Sequence, residues 1–340
     1  LSILQRLQPQ PASDQTLPDL SWVDEFIANV RPYIFVRTED NLLIKRPNQA
    51  QKLNPQGALI LKHLLDGDSL ARVLERIGND PGRIHDVGNF LHAVRTFLEQ
   101  GLDVNSFHPG VEVTPFDRHF SSLPILSEVA ITYKCNLRCV FCYAGCNCTT
   151  QPVDDGREMS VAEIRLILDR LYHQGKVPSV SFTGGEPTLR KELPELVAYA
   201  NRLGMRVNLI TNGTRVTAAL ARELADAGLS SAQVSLEGTT ETTHNLVTRG
   251  ATSFNKTIAA VEHFKQADIR VHTNTTINRL NLHEMPEMPG FVRHELGNQR
   301  FSMNLLVPTG SAMVHPDLIV RYRDIGPWLE RVKAQSEEQD

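Results

Sequence analysis

All five cysteines of this 340-residue chain lie between Cys135 and Cys148, so no disulfide can join distant parts of the fold. Cys135, Cys139 and Cys142 are separated by three and then two residues. Thiolates are soft ligands that suit zinc, copper(I) or iron–sulfur clusters. A structural zinc site usually takes four ligands from two separated cysteine pairs, whereas one compact loop supplies three here. Three thiolates on a cluster of four irons leave one iron without a protein ligand, so the loop predicts an iron–sulfur site with an open position.

Length and composition limit the remaining classes. A chain of this length fits two domains, or one large barrel with an extension. Its residues are 41% hydrophobic and its net charge is -4, which gives no argument for a nucleic-acid partner. No apolar run is long enough to span a bilayer. The chain begins at Leu1, and residues 1–20 lack a signal-peptide pattern. Because the first residue is not methionine, we expect the chain to be a fragment. We expect the protein to be cytoplasmic, because clustered thiols without a signal peptide indicate metal chemistry in a reducing compartment.

The segment before the cysteines divides into a lead-in, a small domain and a linker. Residues 1–29 are predicted to be a flexible lead-in, and residues 106–126 a linker. Residues 30–105 combine short alternating runs with helical patterns, which predicts a small winged-helix-like α+β domain. Its near balance of charges argues against DNA binding, which needs a basic face. The predicted strands and helix-end residues are Tyr33–Arg37, Asn41–Lys45, Gln49–Lys52, Asn54, Gly67, Ser69, Gly78 and Gly101.

From residue 127 onward, strands and helices alternate, which is the pattern of a parallel sheet with crossover helices. The fold class is therefore α/β, with six strands in residues 127–312 and a helical stretch in residues 313–340. The strands are predicted at Glu128–Tyr133, Ser179–Thr183, Arg206–Thr211, Ala232–Leu236, Arg270–Ile277 and Phe301–Leu306. The helices between them are predicted at Val161–Gln174, Leu193–Leu203, Ala218–Ala227 and Asn255–Gln266.

Polar and glycine residues gather at the carboxyl ends of these strands, where parallel barrels carry their chemistry. The second strand ends in Gly184-Gly185-Glu186-Pro187. Two glycines let the backbone approach a ligand closely, and the carboxylate can accept hydrogen bonds from an ammonium group. The later strand ends and loops contribute Asn212, Ser235, Glu237, Arg249, Asn274 and Thr276. For the last two residues ordinary strand pairing is the alternative, and for His244 packing inside the fold is the preferred interpretation.

The cysteine spacing, the aromatic Phe141 before the third cysteine and the Gly-Gly-Glu-Pro turn resemble the radical S-adenosylmethionine (radical SAM) superfamily. This resemblance implies a partial (β/α)6 barrel of the TIM type over residues 127–312. It also implies that Cys135, Cys139 and Cys142 hold a 4Fe-4S cluster and form the catalytic set. The residues implied to bind S-adenosylmethionine are Tyr143, Gly184, Gly185, Glu186, Pro187, Asn212, Ser235, Glu237, Arg249, Asn274 and Thr276. Many members have aspartate where Glu237 stands, which is a departure from the family pattern.

The resemblance further implies a reaction. S-adenosylmethionine would bind the open iron through its amino and carboxylate groups. One electron, from a donor such as flavodoxin or ferredoxin, would cleave it to methionine and a 5′-deoxyadenosyl radical that removes a hydrogen atom from a substrate. The cofactor carries the difficult chemistry, and the protein supplies orientation and exclusion of water.

Residues 30–105 resemble the PqqD-like peptide chaperones, which bind the leader of a ribosomally made precursor peptide as an added strand. The resemblance implies a peptide-modifying maturase of the PqqE/SPASM type, many of which continue into a domain with auxiliary clusters. Either the chain is cut before such a domain, which would follow residues 313–340, or the enzyme has only the one cluster. Cys146 and Cys148 would then ligate an auxiliary cluster whose other ligands are missing, or be spare thiols, which we favour. A precursor peptide is thus the expected partner, with no nucleic acid and no membrane.

Three functions compete at this point. The first is a maturase that modifies a precursor peptide guided by residues 30–105. The second is a radical SAM enzyme for a tetrapyrrole, a small metabolite or a metallocofactor-maturation target. The third is a non-catalytic metal-binding module, against which the full set of strand-end motifs argues. Binding of a leader-like peptide would discriminate the first function from the second.

Overall fold

The computed structural model describes residues 17–47, 49–100, 121–146 and 158–337. The chain divides into two compact units, Leu1–Ser122 and Leu123–Asp340. Among the described residues, no helix has both the length and the apolar character that crossing a bilayer requires. The two units are considered in turn.

The N-terminal unit contains a three-stranded antiparallel sheet of β1 (Ile34–Arg37), β2 (Leu42–Lys45) and β3 (Gln49–Lys52). The strand order is β1-β2-β3, so β3 is an edge strand. The turn between β1 and β2 has Asn41 at a φ of 55°, in the left-handed region that asparagine tolerates well. The hairpin and the third strand predicted from the sequence are confirmed.

Three helices follow the sheet: α2 (Pro55–Asp66), α3 (Leu70–Ile77) and α4 (Pro81–Gln100). Asn54 caps α2 by accepting the Gly57 N–H at 2.7 Å. Gly67 ends that helix with a φ of 109°, a conformation that glycine adopts without steric cost. The three helices bury one face each against the sheet, in a core of Ile34, Val36, Leu43, Leu53, Leu61, Leu64, Val73, Phe90, Leu91 and Val94.

An additional helix, α1 (Val23–Val30), precedes the sheet and overlaps the predicted flexible lead-in, residues 1–29, in all but its last residue. Val23 and Ile27 are buried in the same core, so this part of the lead-in prediction is wrong. The helix has only eight residues and few apolar side chains, so its sequence pattern was too weak to predict it. The predicted linker at residues 106–126 lies mostly outside the described residues.

The second unit is a six-stranded parallel sheet with crossover helices, the partial (β/α)6 barrel that was predicted. Its strands pair in sequence order from β4 to β9, and every pairing is parallel. Their bounds are β4 Ser127–Thr132, β5 Ser179–Gly184, β6 Arg206–Thr211, β7 Leu229–Ser235, β8 Arg270–Ile277 and β9 Phe301–Leu305. All six strands match predicted ones within three residues, which confirms the α/β class.

The helices of this unit are α5 (Val161–Asp169), α6 (Leu193–Arg202), α7 (Ala218–Asp226), α8 (Glu241–Thr248), α9 (Ser253–Gln266), the one-turn α10 (Met288–Gly290) and α11 (Tyr322–Glu337). A π-helical turn, Arg170–Gln174, continues α5 over the rest of its predicted span. A capping box at Ser160 and Glu163 fixes where α5 begins. The helix α8 was not predicted.

The sheet buries one face under the helices and leaves polar side chains on the other. In β8 the burial alternates along the strand, with Val271, Thr273, Thr275 and Ile277 fully buried. The apolar core between sheet and helices is contributed by every strand from β4 to β8. Because all six strands run in parallel, their carboxyl ends meet at one edge, and the predicted site residues come together there.

Candidate functional site

The loop that carries the cysteines follows β4 and is fastened to the carboxyl end of α8. The backbone N–H groups of Arg138 and Val140 donate to the carbonyls of Thr248 and Val247 at 3.2 and 3.0 Å. The neighbouring Leu137 is buried. It lies so close to Gly250 that a Cβ on Gly250 would be 2.7 Å from Leu137 Cδ2. The loop is therefore held by α8 and the turn after it as well as by β4.

Cys135, Cys139 and Cys142 line one cavity of about 170 Å³. The cavity also receives Cys146 and Arg249. Its remaining lining residues are Leu137, Arg138, Val140, Ser311, Val314 and His315. In the part of the chain that the structure describes, no three His, Cys, Asp or Glu side chains converge on a single metal ion. Thiols that surround a shared cavity suit a multi-iron cluster, whose thiolate ligands bind different irons.

The electrostatics of the thiols fit a positively charged metal group. Burial raises the pKa of Cys135, and burial together with the nearby Glu237 carboxylate raises the pKa of Cys139 well above its usual value. Interaction with the neighbouring Cys146 thiol lowers the pKa of Cys142 to about 6, and the same interaction raises the pKa of Cys146. Buried thiolates need a compensating cation, and a bound metal deprotonates its thiol ligands outright.

Gly184 and Gly185 are required by contacts with the cysteine loop. A Cβ on Gly184 would be 2.1 Å from the Thr132 carbonyl oxygen, and one on Gly185 would be 2.3 Å from that of Lys134. Gly184 also has a φ of 144°. The N–H groups of Gly185 and Glu186 donate to the Thr132 and Lys134 carbonyls, both at 2.8 Å. The glycines predicted to approach a ligand therefore approach the backbone that leads into the cysteines.

The Glu186 carboxylate differs from the expectation that it accepts a ligand ammonium group. The residue is 0% exposed. Its Oε1 accepts hydrogen bonds from Thr188 and Thr211, and its Oε2 accepts the Asn212 N–H. Burial raises its pKa despite these bonds. The carboxylate thus joins the ends of β5 and β6, and the buried Pro187 begins a 3-10 turn directly after it.

Asn212 connects the end of β6 to the cysteine loop. Its Nδ2 donates to Asn136 Oδ1 at 3.1 Å, and Asn136 in turn donates to Thr214 at 2.8 Å. Its Oδ1 accepts from Thr214 at 2.9 and 2.6 Å. The predicted site residue is therefore beside the cysteines, and these bonds hold the loop segment between Cys135 and Cys139.

The strand ends of β7 and β8 place four predicted residues side by side. Ser235 is opposite Asn274 in the strand register. The Asn274 Oδ1 accepts from Ser302 and Asn304, each at 2.6 Å, so this side chain is bound to β9 as the strand-pairing alternative proposed. The Thr276 N–H donates to Glu237 Oε2 at 2.9 Å and so joins the other two predicted residues.

A buried polar network lies next to Glu237. His244 accepts the Glu237 N–H through Nδ1 at 3.1 Å, and burial lowers the pKa of the imidazole to about 4. His244 is thus a packed neutral histidine, as the sequence analysis preferred. Burial raises the pKa of Glu237 to about 8. Glu284, which no sequence pattern identified, accepts hydrogen bonds from the helix-start threonines of α8, Thr239, Thr240 and Thr243.

Of the remaining predicted residues, Arg249 lines the cavity and Tyr143 does not. Arg249 ends α8 in the left-handed conformation, with a φ of 55°, and reaches the cavity. Tyr143 is 62% exposed and does not line the cavity. Ser311, His315 and Cys146 line the cavity but were not predicted as site residues. The first two follow β9, far along the chain, where no local signal marks them; the position of Cys146 four residues after Cys142 was the available signal.

Comparison with known families decides what this arrangement is. Residues 129–291 match the family model described as the radical SAM superfamily. This part of the chain is a radical SAM domain. The matched residues contain the cysteine loop, the Gly-Gly-Glu-Pro turn and the strand ends of β5 to β8. Members of the family use a 4Fe-4S cluster and S-adenosylmethionine, and the thiols around the cavity fit that cluster.

Curated relatives match about half of this chain. The chain is 35% identical over 190 residues to Fe-coproporphyrin III synthase of Methanosarcina barkeri, covering 55% of this chain and 46% of the relative. It is 33% identical over 169 residues to PqqA peptide cyclase of Bradyrhizobium diazoefficiens, covering 49% and 42%. The chain thus spans about half of the length of the curated relatives that it matches.

A solved structure is similar over more of the chain. SuiB of Streptococcus suis, in a crystal structure with the precursor peptide SuiA, superposes with a TM-score of 0.61 and 16% identity. The match covers 91% of this chain and 70% of SuiB. The unit that contains residues 129–291 is Leu123–Asp340, so a match of this extent includes part of the N-terminal unit. This similarity concerns the fold.

Proposed function

We propose that this chain belongs to a radical SAM enzyme that modifies a ribosomally made precursor peptide. The observation that carries the chemistry is the cavity lined by Cys135, Cys139, Cys142 and Arg249 at the carboxyl edge of the sheet. When bound there, the 4Fe-4S cluster and S-adenosylmethionine supply reductive cleavage to a 5′-deoxyadenosyl radical. A flavodoxin or ferredoxin is the electron donor in this proposal, and the reducing cytoplasm is the location.

Each residue around the cavity has a separate task. The three thiols hold the cluster. The Arg249 guanidinium supplies a cation that binds a carboxylate in two-pronged geometry, as the carboxylate of S-adenosylmethionine requires. Gly184 and Gly185 let the turn after β5 lie directly against the cysteine loop, and Glu186 fixes that turn to β6. The ligand contacts of this turn are therefore made by its backbone.

An anaerobic reconstitution tests this chemistry. The protein is loaded with iron and sulfide, its iron is counted, and dithionite and S-adenosylmethionine are added. About four irons per chain and production of 5′-deoxyadenosine are expected. Cys139→Ala removes one thiol of the cavity and should abolish both results. Bound zinc without 5′-deoxyadenosine would leave a metal-binding module instead.

The N-terminal unit supports a peptide as the substrate. Its strand β3 is an edge: within the described ranges no strand pairs with its outer side, so an extended peptide can add there. The same unit has a cavity of about 720 Å³ between α2, α3 and α4, whose lining includes the apolar side chains Leu59, Ile60, Val73 and Ile77. Leu59 is 52% exposed there. SuiB, which is similar over both units, binds a precursor peptide.

The hydrogen-bond pattern of β3 shows which backbone groups face outward. Leu53 donates its N–H to Asn41 on the β2 side at 2.8 Å, which makes these two residues a hydrogen-bonded pair. Such pairs alternate with non-hydrogen-bonded pairs along an antiparallel ladder. The register pairs Ala50 with Ile44, three steps further, which is a non-hydrogen-bonded pair. The Ala50 N–H therefore points to the open edge.

Ala50→Pro tests peptide addition at this edge. Proline removes the outward N–H, and an edge strand tolerates it where the N–H is not part of the ladder. Ala50→Val is the matched control, because it keeps the N–H and is a good strand residue. Synthetic peptides from short reading frames beside the gene serve as probes in fluorescence anisotropy. Binding lost in Ala50→Pro and kept in Ala50→Val would support the proposal; equal binding in both would contradict edge addition.

A tetrapyrrole is the second candidate substrate, because Fe-coproporphyrin III synthase is among the most similar curated relatives at 35% identity. Iron coproporphyrin III is the probe, and its absorbance near the Soret band reports binding. Saturable binding of the porphyrin, together with its conversion when S-adenosylmethionine and reductant are present, would favour this candidate. Peptide binding without porphyrin binding would exclude it.

A further inference from the structure

The start of helix α8 is held by the Glu284 carboxylate, which comes from the loop after β8. The Thr239 and Thr240 N–H groups donate to its Oε2 at 2.7 and 3.3 Å. The hydroxyl groups of Thr240 and Thr243 donate to its Oε1. Gly238 leaves room for this contact, because a Cβ there would be 2.9 Å from Glu284 Oε2. One buried carboxylate thus binds the backbone and the hydroxyl groups at the helix start, where negative charge is favourable.

Glu284 is itself fixed in place by bonds to β8 and to the residues that follow β7. It ends a 3-10 turn, Leu282–Glu284, which comes directly after Asn281. The Asn281 Nδ2 donates to the carbonyls of Glu237 and Thr276 at 2.9 and 3.0 Å. The carboxylate therefore meets α8 from a fixed position, and the helix start cannot shift without breaking its bonds to Glu284.

The other end of α8 is bound to the cysteine loop. Its last carbonyls, those of Val247 and Thr248, accept the N–H groups of Val140 and Arg138. Carbonyls in the last turn of a helix have no partner within the helix, so the loop supplies the donors that they lack. Arg249 follows directly and lines the cavity together with the cysteines. The position at which α8 ends therefore sets the distance between Arg249 and the thiols.

Hydrogen bonds also hold the turn that carries Arg249. Asn245 donates to the Ala251 carbonyl at 3.0 Å. It accepts the Phe254 N–H at 3.0 Å and the Ser253 hydroxyl at 2.8 Å. Arg249 has a φ of 55°, which a residue with a Cβ adopts only where its surroundings enforce it. Because the turn is bound to the helix in this way, a displacement of α8 moves Arg249 with it.

We propose that Glu284 is a positioning residue that sets the place of the Arg249 guanidinium relative to the three cysteines, acting through α8. A helix of eight residues is about 12 Å long and moves as one body, so a shift at its start is passed on to its end. Glu284 needs no contact with the cavity for this task, and it does not line the cavity. The inference rests on the proposed function, because it takes Arg249 as the residue that binds the carboxylate of S-adenosylmethionine.

The test measures the Kd of the cluster-loaded protein for S-adenosylmethionine, without reductant, by equilibrium dialysis. Glu284→Gln keeps the shape of the side chain but replaces one acceptor oxygen by a donating amide. A misplacement of about 1 Å can cost about a hundredfold in a site of this kind, so we expect the Kd to rise about ten- to hundredfold. Glu287→Gln is the matched control, because it makes the same change three residues away at an exposed position. Its Kd should equal that of the parent.

A double-mutant cycle with Arg249→Ala separates positioning from a general loss of stability. If Glu284 acts through Arg249, Glu284→Gln should change the Kd by less than about twofold once Arg249 is alanine, because the contact that it aligns is gone. A rise of the Kd by the same factor in both backgrounds would overturn the inference. An unchanged Kd in Glu284→Gln alone would overturn it as well.

Thr243→Val decides the question where circular dichroism shows that Glu284→Gln does not fold. It keeps the Glu284 carboxylate and removes one of its donors. Its Kd should rise in the chain that keeps Arg249 and stay level in Arg249→Ala; any other result contradicts the positioning role. A parent protein that binds no S-adenosylmethionine would contradict the proposed function itself, whereas a binding parent with an unaffected Glu284→Gln contradicts only this inference.

Discussion

The Glu186 carboxylate accepts the backbone N–H of Asn212 through Oε2 at 2.8 Å. This bond joins the turn after β5 to the turn after β6. The Glu186 N–H donates to Lys134 at the start of the cysteine loop. One residue thus connects three neighbouring strand ends, and its side chain acts inside the protein.

Replacing Glu186 by alanine should destabilise the chain. The change leaves the Asn212 N–H and the groups of Thr188 and Thr211 without their acceptor in a closed site. A buried group left without its partner costs about 1–3 kcal/mol. We expect Glu186→Ala to lower the free energy of unfolding by at least about 2 kcal/mol, and Glu186→Gln by less, because the amide keeps one acceptor oxygen. Urea unfolding of the cluster-free chain measures both.

Glu195→Ala is the control for this prediction. Glu195 forms an exposed ion pair with Arg165, and such pairs contribute about 0–1 kcal/mol. A Glu186→Ala variant as stable as Glu195→Ala would show that water takes over the acceptor role at Glu186.

Gly184→Ala and Gly185→Ala should displace the cysteine loop. The added Cβ atoms would overlap the Thr132 and Lys134 carbonyl oxygens, which are backbone atoms and cannot rotate away. Overpacking of this kind costs about 1–3 kcal/mol. We expect lower thermal stability and less iron incorporated on reconstitution. Gly326→Ala is the control: apart from its own helix and its chain neighbours, no described atom lies within 4 Å of its Cβ position, so alanine there should cost far less than at Gly184 or Gly185.

The sequence predicted the strands of the sheet more accurately than the roles of the residues at its carboxyl edge. Strands such as Arg206–Thr211 were found at their observed bounds, because buried β-branched and apolar residues between turn signals make a strong local pattern. Helix α8 was missed because its sequence contains three threonines and an asparagine, which are weak helix formers. Its position is determined by tertiary contacts, including those of Glu284 with the threonines at its start.

The task of Glu186 could not be predicted for a related reason. The sequence places a carboxylate after two glycines, but its hydrogen-bond donors come from Thr211 and Asn212, at the end of another strand. Only the folded sheet brings them within reach. The same holds for Ser311 and His315, which join the cavity from the loop after β9.

Arg37→Met should destabilise the N-terminal unit strongly. Arg37 and Asp40 form a buried two-pronged ion pair, with both bonds at 2.8 Å. Removing one partner of a buried pair leaves an uncompensated charge and costs about 3–5 kcal/mol. Fluorescence of Trp22, which packs on Phe26 in this unit, reports its unfolding once the second tryptophan is replaced in Trp328→Phe.

The control for the buried pair is Lys62→Ala. Lys62 and Asp66 form an exposed ion pair on α2, for which we expect a change below about 1 kcal/mol. Equal effects of Arg37→Met and Lys62→Ala on the Trp22 transition would refute the importance of the buried pair.

His244 should make the barrel sensitive to acid. Burial lowers the pKa of its imidazole from the usual 6.5 to about 4 in the folded chain. Because folding lowers the pKa of this base, the folded chain keeps its full stability above pH 6.5, where the imidazole is neutral in both states. As the pH falls from 6.5 towards 4, the unfolded chain binds the proton first, and the free energy of unfolding drops by about 3 kcal/mol in total.

His244→Asn keeps an acceptor for the Glu237 N–H but does not titrate. Its unfolding free energy should therefore change less between pH 6.5 and 4.5 than that of the parent, and the exposed His294→Asn, as control, should parallel the parent. Because His272 and the carboxylates are the same in all three proteins, parallel curves for the parent and His244→Asn would show that the imidazole is not the acid-sensitive group.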